Sequence, residues 1–387
     1  MSSNIVKSVA SALSLSATIV VGWNQDSHTA GARLTQSFMN QDDVDLLLAK
    51  HGDLAAFIAW PDANHRPTEI IGQPDRYGWS MPSHFVNFPP GESYDSKTSL
   101  ATKDANGRMA PNAINSMVHF REKALYYKDF DKIDYISDNM KTLDKALYET
   151  SPLLPNMADP LMLRRPVADR FRRESVFSVA HYFQDIHNPF HCADAADMGG
   201  FRHTKKCAFC NNGKQSNIHT IWDADMFDYD LRKEFGDEYI DQMDGFEFGR
   251  QKFQDKFYSI LQNKYNALEK EDSKKVEQWK QECSGDFLEC IELVGKETRE
   301  FYLQNQGSLY DGEKDSTVDE TYLDKYKEVA YEQVIKSSVR LASLLTRMAE
   351  ELRGTKGEMP KSAPMDASEA SSSQLRSRSR SKSPVKK

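Results

Sequence analysis

His181-Tyr182-Phe183-Gln184-Asp185-Ile186-His187-Asn188-Pro189-Phe190-His191 is the stretch on which the reading of this chain turns. The residues leading into it place Phe171, Val176, Phe177, Val179, Ala180 and Phe183 at helical spacing, which gives a broad apolar face. Pro166 suits a first helical turn and Pro189 enforces a stop, so a helix is expected from Arg165 to His187. On that helix His181 and Asp185 are four apart and project from one face, whereas His187 turns away and reads as a packing residue. The same spacing returns in His219 and Asp223, on a helix expected from Asn217 to Phe235. Neutral imidazoles supply directional donors and carboxylates offset a cation's charge, a combination that suits zinc. One such pair arises often by chance. Two pairs, joined by His191 just past a proline stop, do not.

Outward from these blocks, most of residues 27–353 carries helical periodicity. Helices are expected around Leu34–Phe38, Val44–Leu48, Leu54–Trp60, Ala113–Tyr127 and Ile133–Tyr148, and again from about Phe246 to Ala267. A charged one covers Glu269–Glu282 and a long one Val318–Leu352. Loops rich in Gly, Pro and Asp fall at 72–82, 89–109 and 307–317, and few alternating β patterns occur. The fold class is therefore mainly α. A single domain over 23–354 is expected, because ligands spread over that span must meet at one point.

The two ends differ from this body. Residues 1–22 begin with a short polar stretch containing Lys7 and continue into the apolar run Val9–Val21. Val20 and Gly22 fit the small-residue rule for cleavage, so a signal peptide is expected, leaving Trp23 as the first mature residue. No other segment reaches transmembrane length, and a soluble product, secreted or in the lumen of the secretory or lysosomal pathway, follows. Residues 355–387 carry eight Lys/Arg against three Asp/Glu in a chain of net charge −8. Their Arg-Ser repeat cannot bury a core and reads as a disordered basic tail. The acidic remainder argues against a broad basic grip on duplex nucleic acid, though bound metal would itself bring positive charge to a narrow site.

Of the five cysteines, Cys207 and Cys210 read as a loop-closing disulfide, with a local metal site as the alternative, and Cys283 could pair with Cys290 across the Ser284-Gly285 turn, a connectivity the sequence leaves open. Cys192 is left over. His51, His119 and His203 have no partner at metal spacing and read as surface residues, and Trp222 as core.

With these pieces in place, the chain resembles the zinc-dependent S-one/P-one nuclease family. The matching stretches are Trp-Asn-Gln-Asp-Ser-His (23–28), Trp-Pro-Asp (60–62), His-Phe-Val-Asn (84–87), the 181–191 block, Gly-Gly (199–200) and Asn-Ile-His-Thr-Ile-Trp-Asp (217–223). The resemblance spans roughly 23–353 and implies a single-domain helical fold of the phospholipase C and nuclease P-one kind, with a trinuclear zinc cleft. It implies one zinc ion on Asp62, His84, His181 and Asp185, a second on His191, His219 and Asp223, and a third on the Trp23 amine and carbonyl, His28 and Asp185. Asp62 and Asp185 thereby become catalytic, since an activated water attacks phosphorus between the metals.

Single-stranded RNA and DNA and 3′-nucleotides are the implied partners, for a monomer without a membrane anchor. Phe85 matches the family's base-stacking aromatic, and Asn87 stands where an aspartate often binds the base edge. His65 occupies a position commonly basic, near the phosphate, and joins Asp62 and Asp185 as a catalytic candidate, with Arg66 next to it as a candidate for substrate binding. Phe201 replaces the asparagine usual after Gly-Gly, and the long interval from His84 to His181 implies an insertion within 89–135. A phospholipase C of the same fold is the rival reading, disfavoured by the short Trp23–His28 gap and by Asp223 as the last ligand. A non-catalytic RNA-associated protein acting through its Ser/Arg tail is the alternative from another class.

Overall fold

The computed structural model describes residues 23–50, 53–65, 78–101, 110–129, 132–133, 167–210, 215–239 and 250–360. Several of its helices begin where a short polar side chain can take a backbone N–H that the first turn leaves unbonded. Asn24 caps Gln25–Ser37, Asn112 forms a capping box on Ala113–Leu125, and Asp286 and Asp319 cap Phe287–Leu309 and Glu320–Thr355. The fold is mainly α, as expected.

Glu320–Thr355 is the axis around which the others assemble. Between Val334 and Ala342 it is buried on every side, including Ser337 and Ser338. The small Ser338 lets Gln25–Ser37 lie close, its hydroxyl donating to the Gly31 carbonyl at 3.1 Å. A side chain on Gly31 would come within 2.9 Å of the Gln184 amide nitrogen, so glycine here leaves that amide its place beside His28. One apolar cluster fills the space between Ala113–Leu125, Val167–Asp185, Phe287–Leu309 and the C-terminal part of the axial helix. A second lies beneath Met226–Phe235, Gln251–Glu271 and the axial helix's N-terminal part. Val167–Asp185 puts Val176, Phe177, Val179, Ala180 and Phe183 into the first cluster, while Trp23, Phe190 and Trp222 belong to the second. The conserved geometry of a helix then leaves His181 and Asp185 facing the ground between the two.

The sequence reading needs several corrections. Leu54–Ala59 forms turns, and the helix begins only at Trp60. Ser96–Ala101 is a helix within the expected 89–109 loop, and Phe287–Leu309 is a full helix that the periodicity reading passed over. Ala113–Leu125, in the interval assigned to an insertion, is core and packs against Val167–Asp185. A small sheet was also unforeseen. Thr204–Cys207 pairs antiparallel with Gln215–Asn217 and parallel with Thr317–Val318, and such short, distant strands leave no alternation to read. The expected leader, the Ile133–Tyr148 helix beyond Ile133 and the tail from residue 361 lie outside the described residues. Both expected disulfides, Cys207–Cys210 and Cys283–Cys290, are formed, and Cys192 is buried as a free thiol. No described helix is long and apolar enough to cross a membrane.

Candidate metal centre

Six segments deliver histidine and aspartate side chains to one buried place. Three groups of ligand atoms form there: His28, His181 and Asp185; Asp62, His84 and His181; and His191, His219 and Asp223, all buried. Within a group the atoms lie within 4.8 Å of one another.

The Val167–Asp185 helix supplies His181 and Asp185 at its last turn, with His181 Nε2 3.4 Å from Asp185 Oδ2. The two oxygens of Asp185 look in different directions. Oδ1 lies 3.2 Å from His28 Nε2, whereas Oδ2 lies 2.8 Å from His84 Nδ1. Asp62, in the first turn of the Trp60–His65 helix, brings Oδ1 to 3.4 Å from His181 Nε2 and 3.6 Å from His84 Nδ1. Its Oδ2 is 3.9 Å from His28 Nε2.

The third group is built differently. Asn188 caps the short 3₁₀ turn Pro189–Cys192 and so aims His191 at Asp223 Oδ1, 3.3 Å away. His219 and Asp223 do not sit on one regular α-helix: the chain passes from Ile218–Thr220 into the π-helical segment Ile221–Asp225. His219 Nε2 still comes within 2.7 Å of Asp223 Oδ2. Asn188 also donates its side-chain amide to Asp223 Oδ1.

The ring orientations test whether a cation fits. His181, His191 and His219 each hold Nδ1 at 2.7 Å from a backbone carbonyl, of Ile58, His84 and Gly199 respectively. A carbonyl only accepts, so Nδ1 carries a proton and Nε2 is the nitrogen turned to the centre, where a cation would take its lone pair. His28 is held likewise by Gln184 Oε1 at 2.6 Å. Nε2 of His28, His191 and His219, together with Asp185 Oδ1 and Asp223 Oδ2, make no hydrogen bond although fully buried. Buried polar atoms left so are costly unless something absent from the polypeptide completes them. A cluster of imidazole nitrogens and carboxylates, deprived of hydrogen-bond partners and converging, has the donor chemistry of zinc.

Electrostatics agrees. Burial pushes the Asp185 carboxyl up to about 7, against the pull of His181 and His191. Burial opposes charge on His191, but Asp223 and Asp185 outweigh it and raise the ring to about 9. His28 is lowered by burial, with Asp62 opposing. Without a cation these groups must share protons; a divalent ion would take the protons' place.

Trp23 is buried directly beside the cluster. Its indole N–H donates to the Gln184 carbonyl at 2.8 Å, and the next residue's amide donates to the Asp223 carbonyl at 2.9 Å. Phe85 stacks on the His191 ring at 4.6 Å between centroids. Phe201, half-buried, stacks on His219 at 3.8 Å and meets Phe85 edge-on at 6.2 Å. Asn87 is exposed. His65 ends its short helix, but its side chain and Arg66 lie outside the described residues.

His187 is buried and donates Nδ1 to the Phe183 carbonyl at 2.8 Å, with Arg340 against its other nitrogen. Its pKa is driven well below the usual value by burial and then by Arg340. His119, read as a surface residue, is instead buried on Ala113–Leu125; its single-letter neighbourhood carried no hint of the core it faces. Trp222 is core, its indole donating to the Tyr322 hydroxyl.

Sequence reasoning overlooked Gln184, Asn188 and Arg299. Gln184 and Asn188 sit inside the motif itself, and a polar residue beside a ligand was the available signal. Arg299 donates to Asp194 at 2.7 Å and to the carbonyls of Pro89, Glu92 and Cys192. It thus ties down the ladder in which Val86 bonds His191 and Phe88 bonds Ala193, and nothing near it in sequence announces that role.

Comparison with known proteins agrees with this geometry. The family model described as S1/P1 Nuclease matches residues 133–350, over half of the chain. The chain is similar to Endonuclease 2 of Arabidopsis thaliana, 23% identical over 212 residues, which cover 54% of this chain and 57% of that protein. It is also similar to Endonuclease 1 of the same plant, 21% identical over 335 residues, 85% of this chain and 88% of that protein. With the family model covering both His-x-x-x-Asp blocks and the axial helix, the chain belongs to the S1/P1 nuclease family.

Proposed function

We propose that the protein is a zinc-dependent phosphodiesterase that cuts single-stranded RNA and DNA to 5′-phosphorylated nucleotides and removes phosphate from 3′-nucleotides. The observation that carries this reading is the set of buried imidazoles whose outer nitrogens are pinned by carbonyls while their inner nitrogens converge on carboxylates. Endonucleases among its relatives supply the substrate class.

One zinc would be held by Asp62, His84, His181 and Asp185, a second by His191, His219 and Asp223, and a third by His28, Asp185 and the amine and carbonyl of Trp23. The divergent oxygens of Asp185 support its use as the bridging carboxylate. Bound zinc supplies the Lewis acidity that lowers a water's pKa towards neutrality and offsets charge on phosphate and on the departing 3′-oxygen. The chain's own residues orient and shield. Phe85, buried against the His191 ring, is assigned to stacking with a base, which any base permits. His65 and Arg66 are assigned to the phosphate, and Asn87 to the base edge. Gln184 and Asn188 fix His28 and Asp223, so the ligand set needs little reorganisation during the reaction.

Residues 1–22 would be removed as a leader to free the Trp23 amine, which makes processing a requirement for activity. A secreted or lumenal location agrees with the two disulfides. Residues 23–354 then form the nuclease domain and 355–387 an accessory tail, in a monomer. The test combines N-terminal sequencing of the mature protein, zinc analysis and digestion of a single-stranded oligonucleotide with and without chelator. Trp23 as first residue and chelator-sensitive cleavage are expected; cleavage indifferent to chelator would refute the reading.

A further inference from the structure

Trp23 and His28 are assigned, with Asp185, to the third zinc ion, and both stand at what would be the start of the mature chain. Terminal residues fray unless something ties them down. Here a buried polar network does so, and Asp26 is its first member. Asp26 lies in the first turn of Gln25–Ser37 and is fully buried. Residues two apart on a helix point to nearly opposite sides. While His28 faces the ligand group, Asp26 therefore faces away from it, towards Arg250.

Arg250 Nε donates to Asp26 Oδ1 at 3.1 Å and Nη2 donates to Oδ2. This two-pronged pairing fixes the carboxylate in orientation as well as in place. The guanidinium carbon lies 5.5 Å from the ring centre of Tyr239 and 5.4 Å from that of Phe253, and Nη2 reaches the Tyr239 hydroxyl at 3.4 Å. That hydroxyl donates to Asp228 Oδ1 at 2.7 Å, and the same oxygen accepts from the Asn24 side-chain amide at 2.9 Å. The circuit thus leaves the N-terminal segment at Asp26 and returns to it at Asn24, the residue that follows Trp23 and caps the helix. Asn24, Asp26, Asp228, Tyr239 and Arg250 are all buried. A second ion pair joins the same two helices with the charges reversed, Arg33 on Gln25–Ser37 meeting Asp255 on Gln251–Glu271, and it is partly exposed.

We propose that Arg250 is a positioning residue for the third metal position: by clamping Asp26 and, through Tyr239 and Asp228, Asn24, it sets where Trp23 and His28 stand. The proposal rests on the zinc-nuclease reading and deepens it. A buried ion pair returns little net stability once its desolvation is counted, so what this one supplies is a single allowed geometry. None of the bonds just named reaches His84, His191 or His219, which makes loosening the clamp a selective change.

The test counts zinc on the full chain by emission spectroscopy and measures the affinity of the ions by competition with a chromophoric chelator. Asp26→Asn keeps the shape of the side chain and removes its charge; Arg250→Gln removes the other partner. Each should weaken one ion about 10–100-fold and leave the others tightly held. Arg250→Lys should restore part of the loss, and Arg33→Ala should change nothing. In a His28→Ala background, Arg250→Gln should remove no further zinc, because both changes act on one position. Wild-type affinity for every ion in folded Asp26→Asn and Arg250→Gln overturns the proposal. So does a uniform weakening of every ion, or a further loss on top of His28→Ala. Should Arg250→Gln fail to fold, as judged by circular dichroism, Asp26→Asn decides alone. Digestion of a single-stranded oligonucleotide by the wild type is scored apart. If strands are cut and the variants keep every ion, only the clamp falls. If one ion is lost selectively but the wild type cuts no strand, the clamp stands and the nuclease reading falls. A wild type that binds no zinc ends both.

Discussion

The two His-x-x-x-Asp segments share a spacing and are built in opposite ways. His181 and Asp185 ride on the last turn of a 19-residue helix whose apolar face is locked into the first core cluster, so helical geometry alone aligns them. His219 and Asp223 straddle a change from α to π helix and depend on outside support: Gly199 holds His219, while Asn188 and the Asn24 amide hold Asp223 by side chain and backbone. Identical spacing therefore does not mean identical robustness. The first segment draws its precision from the core, the second from hydrogen bonds to loops. Asp185, moreover, faces two ligand groups whereas Asp223 faces one.

The largest effect should come from Asp185→Asn, which weakens two groups at once. Cleavage of a single-stranded oligonucleotide should fall by more than the roughly 10–100-fold typical of losing a supporting partner. A loss no greater than that of Asn188→Ala would break the comparison. Asn188→Ala itself should cost about 10–100-fold in affinity for metal at the His191 group, read by competition with a chromophoric chelator, and leave the other groups loaded. If it strips all metal, the groups are not independently supported.

A pH dependence follows from the raised pKa values. In the metal-free protein at neutral pH, His191, near 9, holds a proton and Asp185, near 7, is about half protonated. Zinc must displace those protons, so apparent affinity should fall as pH drops below about 9, more steeply below about 7, and proton release should accompany uptake. Calorimetry in buffers of different ionisation enthalpy measures the released protons, and a zero count would contradict the assignment. Last comes His187→Ala, which should leave cleavage nearly intact and cost about 0.5–3 kcal/mol in stability by urea unfolding. A large activity loss with unchanged stability would move His187 into the reactive group.

Much of the site was legible because it is local. Four-residue spacing, a proline stop and an aspartate behind Trp-Pro are all written in adjacent letters, and the structure brings those side chains together. What stayed hidden depends on distant partners. Arg299 reaches a loop some two hundred residues earlier in the chain, and Thr204–Cys207 finds its parallel partner beyond residue 310. His119 looks like any polar residue on a mixed helix until Ala113–Leu125 is seen to be core. The helix Phe287–Leu309 was missed because its apolar residues are interleaved with charge, including the buried Arg299 that the structure neutralises with Asp194. Phe201 was legible only as a replacement for an asparagine; that its ring stacks on His219 depends on a fold contact the letters do not carry.

Zinc content per chain, measured by emission spectroscopy on the wild type, Asp185→Asn and Asp223→Asn, goes most directly to the heart of this account. The prediction is about three ions in the wild type, about one after Asp185→Asn and about two after Asp223→Asn. Equal losses in the two variants, or full retention in both, would contradict it.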